Sequence, residues 1–86
     1  DASTRSLQVL DETYPPGADT GPELLSHVGE EAGIIVHGAI EITVGDQIKV
    51  LAVGEGYLFD SRLPHRFRNI SDTACKIISA CTPPSF

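Results

Sequence analysis

Ala39-Ile40-Glu41-Ile42-Thr43-Val44, Gly45-Asp46-Gln47 and Ile48-Lys49-Val50-Leu51-Ala52-Val53 form the stretch that decides the fold. Ile40, Ile42 and Val44 alternate with Glu41 and Thr43, and Ile48 and Val50 alternate with Lys49. A period of two carried by β-branched residues marks a half-buried strand. The Gly-Asp break between the runs makes them a hairpin. Residues directly opposite each other share a face. A two-residue loop would set Ile42 against Lys49 and spoil the alternation. The pattern therefore predicts an odd offset, with Ile42 opposite Val50, Thr43 opposite Lys49 and a bulge around Gly45-Asp46-Gln47.

Similar short runs lie on both sides, at 6–13, 23–27, 33–36, 57–59, 65–69 and 74–81. They are rich in Val, Ile and Leu and are separated by Gly, Asp and Pro. Residues 14–22 carry three prolines and two glycines and read as a loop. Residues 82–86 read as an irregular tail, and 1–5 as a frayed linker end. No stretch sustains a helical period. Short strands punctuated this regularly predict an all-β sandwich or barrel. The 86 residues make one domain, with 1–13 as linker and first strand and 14–86 as the body of the domain. A chain this small buries only about 60% of its unfolded surface, so a homodimer is expected.

Twelve acidic residues against six basic ones give a net charge of −6. Such a surface is poorly suited to a phosphate backbone, so any DNA contact belongs to another segment. An acidic interior would instead favour a cationic ligand. No apolar run is long enough to span a bilayer, and no membrane partner is expected. The chain starts at Asp1 without a visible signal peptide and reads as a fragment of a cytoplasmic protein. Cys75 and Cys81 share parity on one strand but would lie roughly 20 Å apart there. That is beyond disulfide reach, so both read as buried free thiols in a reducing compartment.

The run His65-Arg66-Phe67-Arg68-Asn69 alternates as cleanly as the hairpin. With Phe67 facing inward, His65 and Asn69 follow it, and Arg66 and Arg68 face solvent or pair with acidic residues across an interface. Further polar residues stand where apolar ones would cost less. His27 and Glu31 flank Val28-Gly29-Glu30, and Glu23 shares the parity of His27. Burying an unpaired carboxylate costs several kcal/mol, so a metal, a cationic ligand or a histidine should accompany each.

These residues fall at the spacing of the cupin superfamily, which the chain resembles. Leu25-Ser26-His27 stands at the His-x-His of the first cupin motif, followed by Glu31 and Gly38. Gly54, His65 and Asn69 match the second motif, with Asp60 and Arg62 at its Pro and Gly positions. Fifteen residues separate Gly38 from Gly54, as in compact cupins. The resemblance implies a small double-stranded β-helix, or jelly-roll barrel. It also implies metal ligands at His27, Glu31 and His65, with Leu25 replacing a fourth. The implied ion is divalent: zinc, nickel, manganese or iron.

A narrower resemblance rests on Glu12-Thr13-Tyr14-Pro15-Pro16-Gly17, on 26–31, on 59–69 and on the closing Thr82-Pro83-Pro84-Ser85-Phe86. These runs are similar to the C-terminal half of helix-turn-helix/cupin regulators, and within them to polyamine and putrescine utilisation repressors. The resemblance implies a sensor domain for a cationic ligand such as putrescine or cadaverine, dimeric, and reaching DNA only through an N-terminal helix-turn-helix. Glu23, Glu31 and Asp60 are the expected ammonium contacts, with His27 and His65 beside them. Phe59 and Phe67 would line the hydrocarbon or offer cation–π contact. No catalytic residue is assigned. The alternatives are a metal-dependent dioxygenase or isomerase built on His27, Glu31 and His65, and a dimerisation domain without a ligand.

Overall fold

The computed structural model describes residues 7–21 and 28–83. Seven strands occur in them: β1 (Gln8–Tyr14), β2 (Glu30–His37), β3 (Ala39–Val44), β4 (Gln47–Ala52), β5 (Gly56–Asp60), β6 (His65–Arg68) and β7 (Cys75–Thr82). They form a four-stranded sheet in the order β1-β7-β2-β5 and a three-stranded sheet in the order β4-β3-β6. All named pairs are antiparallel. Two sheets back to back are the jelly-roll solution for strands that bury one face each. The expected strand at 23–27 lies outside the described residues. All seven residues of β1 pair with β7, so the first strand is part of the barrel wall.

The core lies between the sheets. Ile35, Ile40, Ile42, Phe67, Cys75 and Ile77 are buried there, with Phe59 at its margin. Each fully buried isoleucine contributes about 2 kcal/mol. Loops fix the sheets to each other. The 17–20 segment is stitched to the end of β6 by Gly17 N–H to Asn69 O (3.0 Å), Asn69 N–H to Ala18 O (2.8 Å) and Thr20 N–H to Phe67 O (3.0 Å). The turn after β4 is tied to β2 by Gly54 N–H to Ile35 O at 2.9 Å.

The β3–β4 hairpin differs from expectation. Ile42 stands opposite Lys49, Thr43 opposite Ile48 and Val44 opposite Gln47. The loop is the two residues Gly45-Asp46, and no bulge intervenes. Gly45 has φ +60°, the conformation a tight hairpin needs at its first loop position. Its N–H also donates to Pro64 O at 2.7 Å, which anchors the turn. Turn geometry overrides side-chain alternation here. Ile48, Lys49 and Val50 are all exposed and Leu51 is half-buried, with Lys49 and Leu51 on the side that lines a cavity.

Arg62, Arg66 and Arg68 each pair with an acidic residue of the chain itself. Arg62 meets Asp60 at 2.7 Å, Arg68 meets Glu41 at 3.0 Å, and Arg66 pairs with Asp19.

Candidate functional site in the barrel interior

Strand parity sends His65, Phe67 and Asn69 inward from β6 and its end, and all three are buried. Asn69 is consumed by structure. Its side-chain amide donates to Tyr14 O (2.9 Å) and Thr73 O (2.8 Å), and its Oδ1 accepts from Ser71. His65 is only 1% exposed and has a different arrangement. Its Nδ1 lies 2.7 Å from Leu63 O, and a carbonyl can only accept, so Nδ1 carries a proton. Nε2 is thereby aimed at Glu31 Oε1, 3.3 Å away. The Ser61 hydroxyl donates to the same oxygen at 3.4 Å.

Glu31 comes from β2, opposite both Phe59 on β5 and Cys81 on β7. Across β7, β1 contributes a second inward carboxylate, Glu12, opposite Ile77. Burial, and then the charge of Glu31, push the Glu12 carboxyl above its usual range, and hydrogen bonds from Tyr14 and Ser79 offset this in part. Two acids thus face one interior, and Glu12 has no Lys or Arg partner among the described residues.

Aromatic rings wall this space. Phe59 lies 5.0 Å from the His65 ring, and Tyr57 meets Phe67 edge-on at 5.3 Å. Tyr14 stacks on Phe67 at 6.1 Å. Burial foremost, and next the charge of Glu12, push the phenols of Tyr14 and Tyr57 up, so both remain hydroxyl donors. Between the edges of β4 and β5 opens a cavity of about 310 Å³. Tyr57, Phe59, Ile42, Leu51, Gln47 and Lys49 line it.

Glu31, Phe59, His65 and Phe67 of the expected set therefore converge. Asp60 does not join them. It follows the inward Phe59 and so sits on the outer face, where it binds the Arg62 guanidinium and accepts the Arg62 backbone N–H at 2.9 Å. Hydrogen bonds from the Arg62 side chain and backbone hold its carboxyl down at about 2. Glu23 and His27 lie outside the described residues. Glu12 was not expected at the site, yet it shares the parity of Leu10 and Tyr14 along 8–14.

The donor set fits part of a metal site. Histidine ligands normally donate their second ring N–H to a carbonyl or carboxylate, as Nδ1 of His65 does to Leu63. Nε2 of His65 and Oε1 of Glu31 supply two donors of the kind divalent ions take. No cluster of three His, Cys, Asp or Glu occurs among the described residues.

Residues 10–81 match the Cupin domain family over most of the chain. The chain belongs to that family. This cupin domain is 43% identical over 82 residues to the HTH-type transcriptional regulator PuuR of Escherichia coli K12, and equally to that of Shigella flexneri. The match covers 95% of this chain and 44% of the relative, so the cupin domain spans under half of the regulator's length. Among solved structures, the cupin domain of an XRE-family transcriptional regulator from Enterobacter cloacae superposes with TM-score 0.82 at 22% identity, covering 96% of this chain and 87% of that one. An oxalate oxidase superposes with TM-score 0.76 at 15% identity, covering 90% of this chain and 42% of the enzyme. At these identities both likenesses establish the fold alone. No helix of the described residues is long and apolar enough to cross a membrane.

Proposed function

We propose that this cupin domain is the small-molecule sensor of a cytoplasmic bacterial transcription regulator, and that its ligand is a short polyamine such as putrescine or cadaverine. The observation that carries the reading is the pair of inward carboxylates, Glu12 and Glu31, inside a wall of aromatic rings. Two like charges in one interior are unfavourable until a cation joins them. An ammonium at about 4 Å from a carboxylate gains roughly 4 kcal/mol at an effective dielectric near 20, before desolvation is subtracted. Tyr57, Phe59 and Phe67 offer the methylene chain an apolar lining and cation–π faces. The 43% identity to a helix-turn-helix regulator supports the regulatory role.

In this reading DNA is held by a helix-turn-helix outside the chain, which suits a net charge of −6 on the sensor. Two copies pair, and ligand binding biases the arrangement of the DNA-binding domains through its differential affinity for two states. The role is not enzymatic. Cys75, a buried nucleophile type, has its thiol pushed up by burial, the opposite of activation. Calorimetric titration with putrescine, cadaverine and uncharged 1,4-butanediol tests the proposal. Heat from the two diamines alone supports it, and negligible heat from all three contradicts it.

A second occupant is favoured by one observation, the Nδ1–Leu63 bond that presents Nε2 of His65 beside Glu31. His27, Glu31 and His65 would then hold a divalent ion of zinc, nickel, manganese or iron. Elemental analysis of protein purified without chelator would find it at one equivalent. A metal-free preparation would remove this reading and the dioxygenase or isomerase alternative together.

A further inference from the structure

The two sheets turn chemically different faces outward. On the three-stranded sheet Glu41 stands opposite Arg68 and pairs with it at 3.0 Å, and Arg66 pairs with Asp19. That face suits water. The four-stranded sheet is apolar outside. Ile35 and Ile77 point into the core, so strand parity sends Ala32 and Ile34 of β2 and Ile78 and Ala80 of β7 outward. The registers align them into rows across all four strands. Val9, Ala80, Ala32 and Leu58 form one row, and Asp11, Ile78, Ile34 and Gly56 form the next. Val9 is 64% exposed and Leu58 73%. At about 4.8 Å between strands and 3.3 Å per residue, the face measures roughly 450 Å² in plan. Counted on two copies, and before the relief of the side chains is added, this is roughly 900 Å², close to where specific contacts begin.

The face is complementary to itself. The first row has two alanines at its centre, while the second has two isoleucines there and a glycine at its β5 end. Consider a two-fold axis in the plane of contact, running across the strands midway between the rows. It lays Ile78 and Ile34 of each copy into the dips over Ala80 and Ala32 of the other, and Leu58 over Gly56. Asp11 stays at the rim, on the edge strand β1. Charge follows the same symmetry. Glu30 stands opposite Thr82 at one end of the face, and Lys76 stands opposite His37 at the other. Thr82 and Lys76 are roughly 20 Å apart along β7, so Glu30 and Lys76 of one chain do not meet. The two-fold brings Glu30 of each copy to Lys76 of the other.

We infer that two copies of this chain pair face to face through the outer surface of the four-stranded sheet, with their strands antiparallel across that two-fold axis. The inference rests on the pairing of copies in the sensor reading above and adds the face and its orientation. It asks nothing of the ligand.

The test is analytical ultracentrifugation of the chain from micromolar to millimolar concentration, which reads the dimer dissociation constant, with folding of each variant checked by thermal melting. Leu58→Lys and Ile34→Lys should each raise that constant by about tenfold or more, since each puts a charge into the apolar centre twice. Glu30→Lys and Lys76→Glu should each raise it by about tenfold, because each sets like charges together at two symmetric contacts. The double variant Glu30→Lys/Lys76→Glu should return to within about threefold of the wild type, since the exchanged charges meet again only between copies. A wild type that stays monomeric throughout overturns the inference together with the pairing of copies, and leaves the face to another occupant such as the DNA-binding segment. A dimer unmoved by Leu58→Lys and Ile34→Lys overturns the inference alone, because the copies then pair through another surface. A double variant as weak as the single ones overturns the antiparallel arrangement.

Discussion

Nε2 of His65 lies 3.3 Å from Oε1 of Glu31, while Nδ1 of the same ring is held 2.7 Å from the Leu63 carbonyl oxygen. The carbonyl can only accept, so the ring's orientation is set from behind and its reactive nitrogen is presented to the interior. Replacing the ring breaks both relations at a site that is 1% exposed. His65→Ala should destabilise the fold by about 2–3 kcal/mol, through lost packing against Phe59 and the lost contact from Nε2 to Glu31. Urea denaturation checks this, and a loss below 0.5 kcal/mol, about the noise of a surface substitution, would contradict it.

Glu12 gives the clearest pH dependence. Its carboxyl is raised above the usual 4.5 by burial and by Glu31. An acid raised in the folded state costs stability when ionised. That cost is absent below about the usual carboxylate value and complete above the folded one. Glu12→Gln should thus be more stable than the wild type at neutral pH. The advantage should vanish as pH falls to the acid side of the usual carboxylate range. Denaturation midpoints of both proteins across pH 4 to 8 read this directly, and a constant difference would count against it.

Asp19 titrates with the opposite sign. Its carboxylate is held at about 2 by the Arg66 side chain and the Gly21 N–H, below the ordinary 3.8. The stabilisation it lends is present above the ordinary value and is lost as pH falls through about 2. Asp19→Asn should lack that acid-side loss and should loosen the 17–20 segment from β6. Amide hydrogen exchange at Gly17, Thr20 and Asn69, whose N–H groups stitch that segment, should quicken at neutral pH.

Gly33 lies beneath the Tyr57 ring, and a β-carbon there would come within 2.5–2.6 Å of ring carbons and the hydroxyl. Gly33→Ala must push Tyr57 away from the wall shared by the interior and the cavity. A loss of about 1–3 kcal/mol is expected, with a changed near-ultraviolet dichroism signal. An unaltered tyrosine signal would mean the ring does not rest where it is placed here.

Much of this architecture can be read from the residues. The period-two pattern at 65–69 correctly sends His65, Phe67 and Asn69 inward, because no turn intervenes to shift the parity. The hairpin register cannot be read in the same way. Ile48-Lys49-Val50 is apolar at both ends, and only the backbone of Gly45-Asp46 decides which residues face Ile42. Asp60 follows the inward Phe59, and the strand ends there, so its carboxylate turns to Arg62. Glu12 is not legible as a site residue in the sequence, because an acid in an edge strand looks solvated until the partner strands are known. β7 and β2 bring Glu31 towards it across a sheet order that sequence does not reveal.

The proposed sensor places an amine beside Glu12 and Glu31. A crystal structure grown with 1,4-diaminobutane tests it most directly. The account predicts density for the diamine inside the barrel, with a nitrogen about 3 Å from a carboxylate oxygen of Glu12 or Glu31. Diamine found only on outer-surface acids such as Asp46 or Asp72, with an interior holding nothing but water, would contradict it.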